Sequence, residues 1–396
     1  MKNYILFALL LLPIWAICQE KKDSQPTQNK VKILAEGKLR CIELEGTAYE
    51  RGLQHGKLLK QEIAEVIQLY KKDIKQNTKM EAEQFKAKFL EDTDFKTAIK
   101  KWTPDLLEEL RGIAEGSGIE LDWIYMHNLG DEYWFYTQEL VAHHCSSFGV
   151  NKTENTPSMA AQNMDIPGFY HGFQTVMKII QEDKELMILT IPGHLGLTGM
   201  NNRQVSINCN TLMQLGYGRE GMPVTFVVRG VLDNSQQKDA LKFLKDIRHA
   251  SGQNYMIGGP EKVHSMECSA NTIAEFRPFK NASFTYHTNH PLANKDYNSI
   301  FLSMLDNIGV PVQNAENLDF MCKRIPSFRK RFNEQTQGIQ VEDIQEVLRA
   351  RESSSKDVVS NENTYSSVIY ILSKTPQFII APGKPHEVAY LEIEFN

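Results

Sequence analysis

The sequence predicts an α+β fold in which β-sheets are covered by layers of helices. Two observations support this. Residues 32–144 carry apolar side chains at the spacing of amphipathic helices, and short β-rich runs separated by turn residues follow from Cys145 onward. Helical stretches interrupt those runs, as expected for layered α+β proteins. The clear change in composition, from helix to strand, falls at residues 143–145.

Composition excludes several classes of protein. The chain has 396 residues, a formal net charge of −5, 41% hydrophobic and 23% charged residues. These are ordinary globular values, which exclude a collagen-like, disordered or multispanning membrane protein. The length fits two to three domains or one large sandwich-type domain. A pI near 6.2 without blocks of Lys or Arg argues against a nucleic-acid partner.

The N-terminal segment has the features of a secretory signal. Lys2 precedes an apolar run at 5–17, which is too short to span a bilayer comfortably. Ala16 and Cys18 occupy positions −3 and −1 of a cleavage site, so we expect a signal peptide at 1–18 and a flexible leader at 19–31. The protein would then be exported, periplasmic or secreted, with no transmembrane segment. Lipoprotein anchoring at Cys18 is the alternative, disfavoured by the bulky Ile17.

The first hundred residues after the leader are expected to be mainly helical. Thr103 and Pro104 make a cap and first turn, and Gly116 and Gly118 close that helix. A second amphipathic stripe consists of Leu59, Ile63, Val66, Ile67, Tyr70 and Ile74.

The rest of the chain is expected to be rich in strands. The predicted strands are 146–150, 186–191, 205–208, 224–228, 263–266, 283–288, 368–372 and 378–380. The predicted helices are 237–248, 297–307, 317–333 and 341–350.

Cysteine usage gives the first indication of chemistry. An exported chain would keep five cysteines, an odd number that leaves at least one thiol unpaired. No Cys or His spacing resembles a metal site, so no metal and no cofactor are predicted. Cys145 has three possible roles: a papain-like pair with His287, a disulfide, or a new N-terminus formed by self-cleavage after His144.

The third role for Cys145 has a clear chemical logic. A free thiol has a pKa of about 8.5 and needs a base, whereas an α-amine has a pKa of about 7.7–8.0, near working pH. An N-terminal Cys145 would therefore carry its own base. A hairpin could return Asp165 to orient the amine. Asn side chains, among them Asn210 and Asn289, are suitable donors to a tetrahedral oxyanion.

Several motifs, in order, carry a family resemblance. They are Cys145 with the three residues that follow it, the pair Asn163 and Asp165, the segment 196–202, and Asn289 within the segment 287–290. Upstream of Cys145, the glycine spacing in 46–56 and the segment 109–118 belong to the same set of motifs. Together these resemble the penicillin acyltransferase (isopenicillin-N acyltransferase) family of autoproteolytic N-terminal nucleophile hydrolases. The likeness spans about residues 37 to 295.

The resemblance implies a fold and a set of roles. The fold would be an αββα sandwich of stacked antiparallel sheets. Cys145 would be the autocatalytic centre and then the nucleophile, and Asp165 would hold its α-amine. Asn289 would donate to the oxyanion, and Asn210 is a second candidate on the substrate-facing wall.

Two positions depart from the family pattern. His144 stands where cleavage commonly follows Gly. Gln162 stands where bile-salt-hydrolase and ceramidase relatives have Arg, which favours the acyltransferase branch. The change to Gln also removes a cation that could bind a carboxylate-bearing substrate.

The sequence therefore predicts an exported amide hydrolase that acts on a small N-acyl amide through an acyl-enzyme intermediate. After cleavage between His144 and Cys145, chains 32–144 and 145–396 would stay bound without a covalent link. Water is the expected acceptor, because acyl-CoA is not expected outside the cytoplasm. The alternatives are an acyltransferase to an amine, a papain-like protease using Cys145 and His287, and a non-catalytic ligand-binding homologue.

Overall fold

Two packed β-sheets form the centre of the molecule. The computed structural model describes residues 31–138, 145–313, 322–351 and 357–396. In these residues helices cover the outer face of each sheet, so the predicted α+β class and αββα layering are confirmed. The predicted signal peptide, most of the leader, and His144 lie outside the described residues, and the division into two chains stays a prediction.

The first sheet has nine strands in the order β1-β2-β5-β6-β7-β8-β9-β10-β11. Neighbours are antiparallel except β2 and β5, which are parallel. Its strands are β1 (Val31–Leu34), β2 (Leu39–Glu45), β5 (Thr175–Ile180), β6 (Glu185–Thr190), β7 (Thr198–Asn201), β8 (Ser206–Thr211), β9 (Gln253–Gly258), β10 (Val263–Cys268) and β11 (Ile273–Phe276). Two strands of this sheet thus come from the mainly helical N-terminal part.

The second sheet has six antiparallel strands in the order β12-β3-β4-β13-β14-β15. Its strands are β3 (Ser146–Val150), β4 (Met159–Asp165), β12 (Phe284–His287), β13 (Thr364–Ile371), β14 (Gln377–Ala381) and β15 (Leu391–Ile393). The strand that follows Cys145 therefore lies inside this sheet, between β12 and β4.

The helices form two unequal outer layers. Those of the first layer are α1 (Ala48–Leu58), α2 (Lys60–Thr78), α3 (Ala82–Asp92), α4 (Phe95–Trp102), α5 (Pro104–Ser117), α6 (Leu121–His127), α7 (Gly130–Thr137), α8 (Val224–Leu232) and α9 (Gln237–Asp246). Further along the chain are α10 (Ser299–Asn307), α11 (Arg324–Arg331) and α12 (Val341–Leu348). None of the helices in the described ranges is both long and apolar enough to cross a membrane.

Three apolar clusters hold the layers together. The largest joins the first helical layer to the first sheet, for example Ile63 and Ile113 with Ile188. A second fills the space between the sheets, and a third joins the second sheet to α11 and α12, where Phe148 meets Phe328. Burial of this apolar surface is the main term that stabilises the layered arrangement.

The upstream glycines act in helix packing. The helices α1 and α5 contact each other so closely that a Cβ on Gly52 would lie 1.9 Å from the Glu109 carbonyl oxygen. A Cβ on Gly56 would lie 2.5 Å from the Ile113 carbonyl oxygen. Only glycine permits this approach of two backbones.

One predicted strand is wrong. Residues 224–228 begin α8, because Pro223 precedes the helix and all nine of its residues are buried. A short apolar run that is buried on every side has no readable periodicity, so a strand and a core helix look alike in sequence.

Candidate active site

Cys145 lies directly before β3 and is 5% exposed. Strands β3 and β4 are antiparallel neighbours, and Ser146 pairs with Asn163. This register places the end of β4 beside Cys145. The backbone N–H of Asp165 donates to Cys145 Sγ at 3.4 Å. A β-hairpin thus brings together two predicted site residues that are twenty positions apart.

The Cys145 thiol is held in its neutral form. Burial, reinforced by the nearby charge of Asp165, raises the pKa of the thiol to about 12. Cys145 forms no disulfide, and the other cysteines of the described residues are free as well. A thiol in this environment requires a base close at hand before it can attack a carbonyl.

Asp165 is a buried carboxylate with one unsatisfied oxygen. Its Oδ2 accepts a hydrogen bond from Asn361 Nδ2, whereas its Oδ1 has no hydrogen-bond partner among the described residues. Burial raises the pKa of Asp165 to about 7, even though the Asn361 amide, the Thr364 hydroxyl and the charge of Arg324 oppose the shift. An unsatisfied buried acceptor is costly. A positively charged group beside Oδ1 would remove that cost.

Arg324 is a site residue that the sequence analysis missed. It is 2% exposed at the start of α11, and its Nη1 donates to the Cys145 carbonyl oxygen at 2.5 Å. The same nitrogen contacts Asn289 Oδ1 at 3.2 Å, and Nε donates to Asp357 at 2.6 Å. One guanidinium therefore fixes the nucleophile residue relative to the predicted oxyanion donor.

Asn289 is oriented from both ends of its amide. Its Oδ1 accepts from Arg324, and its Nδ2 donates to the Thr211 carbonyl oxygen at 3.0 Å. An amide nitrogen carries two hydrogens, so one N–H remains for a developing oxyanion. The assignment of Asn289 as that donor stays a prediction.

Asn210 lies farther from the chemistry. Its Oδ1 accepts from Ser147 Oγ at 2.7 Å and from Asn254 Nδ2 at 3.2 Å, which links β3 to the first sheet. Its Nδ2 is buried without a partner among the described residues. Neither Asn210 nor Asn289 belongs to the described lining of the cavity beside Cys145. Its position between the sheets is consistent with a role in supporting β3. A direct role of Asn210 at the substrate stays a prediction.

His287 is fully engaged in structural contacts. Its Nδ1 faces the Thr288 carbonyl oxygen at 2.8 Å, and its Nε2 faces Glu267 Oε1 at 2.7 Å. Both ring nitrogens are therefore engaged in hydrogen bonds to oxygen atoms. In this arrangement neither nitrogen contacts the Cys145 thiol.

A small cavity of about 50 Å³ adjoins the nucleophile. Cys145, Asp165 and Asp131 contribute to its wall. The apolar part of the wall includes Met164, Ile166, Tyr170, Ile191, Leu197 and Val224. A narrow, mostly apolar space of this kind suits a small substrate group.

A larger cavity of about 740 Å³ opens elsewhere, where α1 and α5 begin. It contains none of the predicted site residues. Its two buried arginines, Arg51 and Arg229, share the carboxylate of Glu109. This buried cluster ties α1, α5 and α8 together, so the smaller cavity beside Cys145 is the candidate active site.

The sequence matches a known family over more than half of its length. Residues 151–375 match the model of the acyl-coenzyme A:6-aminopenicillanic acid acyl-transferase family. The chain belongs to this family. The resemblance inferred from the motifs is thereby confirmed. Membership supports an acyltransferase or amide hydrolase of the N-terminal nucleophile type.

The acyl-transferase match includes Asp165, Asn289 and Arg324 but begins six residues after Cys145. A curated relative, the acyl-coenzyme A:6-aminopenicillanic-acid-acyltransferase 40 kDa form of Emericella nidulans, is 26% identical over 255 residues. That match covers 64% of this chain and 70% of the relative.

Two solved structures share a limited likeness with this acyl-transferase family member. A mutant of the conjugated bile acid hydrolase from Clostridium perfringens matches with a TM-score of 0.41 and 13% identity, over 63% of this chain and 92% of that one. Penicillin V acylase from Agrobacterium tumefaciens matches with a TM-score of 0.33 and 13% identity, over 63% and 86%.

Proposed function

We propose that the protein is an exported amide hydrolase whose nucleophile, Cys145, becomes an N-terminal residue by autocatalytic cleavage after His144. The observation that carries this proposal is the buried Asp165 Oδ1, which has no hydrogen-bond partner among the described residues and belongs to the residue that contacts the Cys145 thiol. An α-ammonium on Cys145 would give Oδ1 a positively charged partner.

The proposed base is the Cys145 α-amine. Its ordinary pKa of about 7.7–8.0 is suited to proton transfer near neutral pH. Because thiol and amine belong to one residue, little conformational entropy is lost in bringing them together. Asp165 would hold the amine, and the Arg324 hydrogen bond to the Cys145 carbonyl would fix the residue from its other side.

The reaction then follows in two stages. The α-amine takes the thiol proton, Sγ attacks the amide carbonyl, and the resulting oxyanion accepts from the remaining N–H of Asn289. Collapse of this intermediate breaks the C–N bond, and the α-ammonium delivers its proton to the leaving amine. Water, deprotonated by the same α-amine, attacks the thioester, and the acid leaves as Cys145 Sγ recovers its proton.

Acyl transfer to an amine is the second candidate. It is favoured by the description of the matching family and by the name of the curated relative, both of which specify acyltransferases. The two candidates share the first stage and differ in what attacks the thioester. Adding hydroxylamine during turnover separates them: a hydrolase yields mainly the acid, whereas a transferase yields mainly the hydroxamate.

A papain-like mechanism has less support. Both ring nitrogens of His287 face oxygen acceptors, so the side chain that this mechanism needs as a base is already engaged. The N-terminal nucleophile mechanism needs no second side chain as a base.

Export is proposed from the leader alone. Lys2 and the apolar run at 5–17 predict a signal peptide that ends at Cys18. Protein recovered from the native host should begin at Gln19, and cell fractionation should find it outside the cytoplasm. A cytoplasmic protein that keeps residues 1–18 would overturn this part of the proposal.

Cys145→Ala tests the proposed function. The wild-type protein should contain two chains, the second beginning at Cys145, and should hydrolyse N-acyl amides. Cys145→Ala should stay one chain without turnover, whereas Cys41→Ala, which changes a buried thiol on β2, should behave as wild type. Cleavage of Cys145→Ala at the same bond would show that another protease cuts the chain there. Undiminished turnover by that variant would contradict the nucleophile.

A further inference from the structure

Asp131 is a carboxylate in the cavity beside the nucleophile that the proposed mechanism does not use. It lies in the first turn of α7, is half-buried, and lines the same cavity as Cys145. Its neighbour Glu132 is fully buried and does not line that cavity. Of these two neighbouring acids, Asp131 is therefore the one that faces the substrate space.

The hydrogen bonds of Asp131 fix the carboxylate without neutralising it. Thr211 Oγ1 donates to Asp131 Oδ1 at 2.5 Å, and Gln253 Nε2 donates to the same oxygen at 3.0 Å. Both donors are uncharged. Within the described residues, no Lys, Arg or His forms an ion pair with this carboxylate.

Apart from the α-ammonium proposed for Cys145, which Asp165 would pair with, the described residues of the cavity wall provide no positive charge. No Lys or Arg belongs to the described lining residues. Burial lowers the pKa of His127 to about 4 and places the pKa of His194 well below its ordinary value, so both rings are neutral near pH 7. Gln162, at the position where some relatives have Arg, donates to the Cys209 carbonyl oxygen.

Burial also raises the pKa of Asp131, because an anion in a desolvated wall is unfavourable without a counter-charge. A ligand cation would supply that counter-charge. A carboxylate ligand would instead meet a second negative group in a space where the proposed Cys145 α-ammonium is already paired with Asp165.

We propose that the substrate is an N-acyl amide bearing an ammonium group, and that Asp131 binds this group. The inference rests on the proposed function, since it assumes that the cavity beside Cys145 holds the substrate. It makes Asp131 a specificity-determining residue that pairs with the ammonium while Thr211 and Gln253 keep Oδ1 in place. The ammonium can belong to the acyl part or to the amine part of the substrate.

Two series of matched amides show, by their kcat/KM values, whether the ammonium belongs to the acyl part or to the amine part of the substrate. The acyl series is β-alanyl-, butanoyl- and succinyl-p-nitroanilide, which place a cation, a methyl group or a carboxylate at the same end. The amine series is N-butanoyl-ethylenediamine against N-butanoyl-propylamine. In one series the wild type should prefer the cationic member over the neutral one by about tenfold or more. Preference for succinyl, or no preference for either cation, would overturn the inference.

Variants of Asp131 test whether this residue causes the preference for cationic amides. Asp131→Asn keeps the acceptor for Thr211 and Gln253 but removes the charge, so it should abolish the ratio between cationic and neutral amides. Asp131→Glu should restore part of that ratio. Asp105→Asn, an equal change of charge on the exposed first turn of α5, should keep it. A cationic preference that persists in a folded Asp131→Asn protein would contradict the assignment.

Binding separates this inference from the proposed function. Calorimetric titration of the mature protein with propylammonium and with propionate requires no turnover. Propylammonium should bind more tightly, and Asp131→Asn should weaken its binding by about tenfold. If no amide is hydrolysed but this pattern holds, the proposed function fails and the cation site stands. Equal binding of the two ions would overturn the cation site.

Discussion

Two buried carboxylates lie close to the candidate site and differ in how they are satisfied. Glu267, at the end of β10, accepts from His287 Nε2 and from three consecutive backbone N–H groups at 2.6 to 3.0 Å. Asp165, at the end of β4, accepts from the Asn361 side chain at Oδ2, and its Oδ1 is unpartnered among the described residues.

The difference distinguishes a carboxylate that supports the structure from one that is available for the proposed reaction. Burial tends to raise the pKa of Glu267, but hydrogen bonds and the charge of His287 hold it below its ordinary value. At Asp165 burial prevails and raises the pKa. Glu267 is thus satisfied by the protein itself and fixes residues 287–294, which carry Asn289. Asp165, whose Oδ1 has no hydrogen-bond partner among the described residues, stays available for the α-ammonium that the proposed cleavage would create.

The largest expected effect comes from removing the charge of Glu267. Glu267→Gln places an amide N–H against backbone donors and leaves His287 without its ionic partner, so the free energy of unfolding should fall by about 3–5 kcal/mol. Urea denaturation measures this. Glu275→Gln on β11, whose carboxylate is more exposed, should cost less than about 1 kcal/mol. Equal stability of Glu267→Gln and wild type would contradict the supporting role.

Asn289→Ala should mainly affect catalysis. Removal of one oxyanion donor typically lowers kcat by about 10²–10³, or about 2.7–4 kcal/mol. The rate per folded molecule should therefore fall by that factor while the unfolding transition shifts little. Asn281→Ala, an exposed change just before β12, is the matched control. A kcat within threefold of wild type would remove Asn289 from the mechanism.

Asp165→Asn tests the opposite side of the comparison. The amide keeps the shape of the carboxylate but cannot hold an α-ammonium, so kcat/KM should fall by about 100-fold. In the uncleaved Cys145→Ala background the same change should not destabilise the protein at pH 8, because an ionised, poorly satisfied carboxylate is removed. A loss of stability as large as that of Glu267→Gln would show that Asp165 is a structural group.

The smallest effect concerns Glu132, a third buried carboxylate. Burial and the charge of Asp131 raise the pKa of Glu132 above its ordinary value. Between the unfolded and folded pKa values the native state binds more protons, so its stability falls as pH rises. In the Glu132→Gln variant, the fall in the free energy of unfolding between pH 6.5 and 8 should be smaller by about 1 kcal/mol. Parallel pH curves for the two proteins would contradict this.

Local patterns predicted much of the fold. The stripe from Ile63 to Ile74 lies on α2, with Leu59 directly before that helix, and the glycine at 118 closes α5 in a left-handed conformation. These features depend on spacing along the chain. The error at 224–228 arose where a buried run has no polar face, so its period could not be read.

Only part of the site was readable from the sequence. Cys145 and Asp165 are joined by a hairpin, so their proximity follows from local topology. Arg324 lies 179 residues from Cys145 and reaches it through packing of α11 on the second sheet, which no local pattern encodes. The partnership of Glu267 with residues 292–294 likewise depends on tertiary contacts.

The measurement that tests the central claim most directly is the intact mass and N-terminal sequence of the active protein. The account predicts two noncovalently associated chains, one of which begins at Cys145 with a free α-amine. An active enzyme whose backbone is continuous from His144 to Cys145 would contradict it, because Asp165 would then have no α-ammonium to bind.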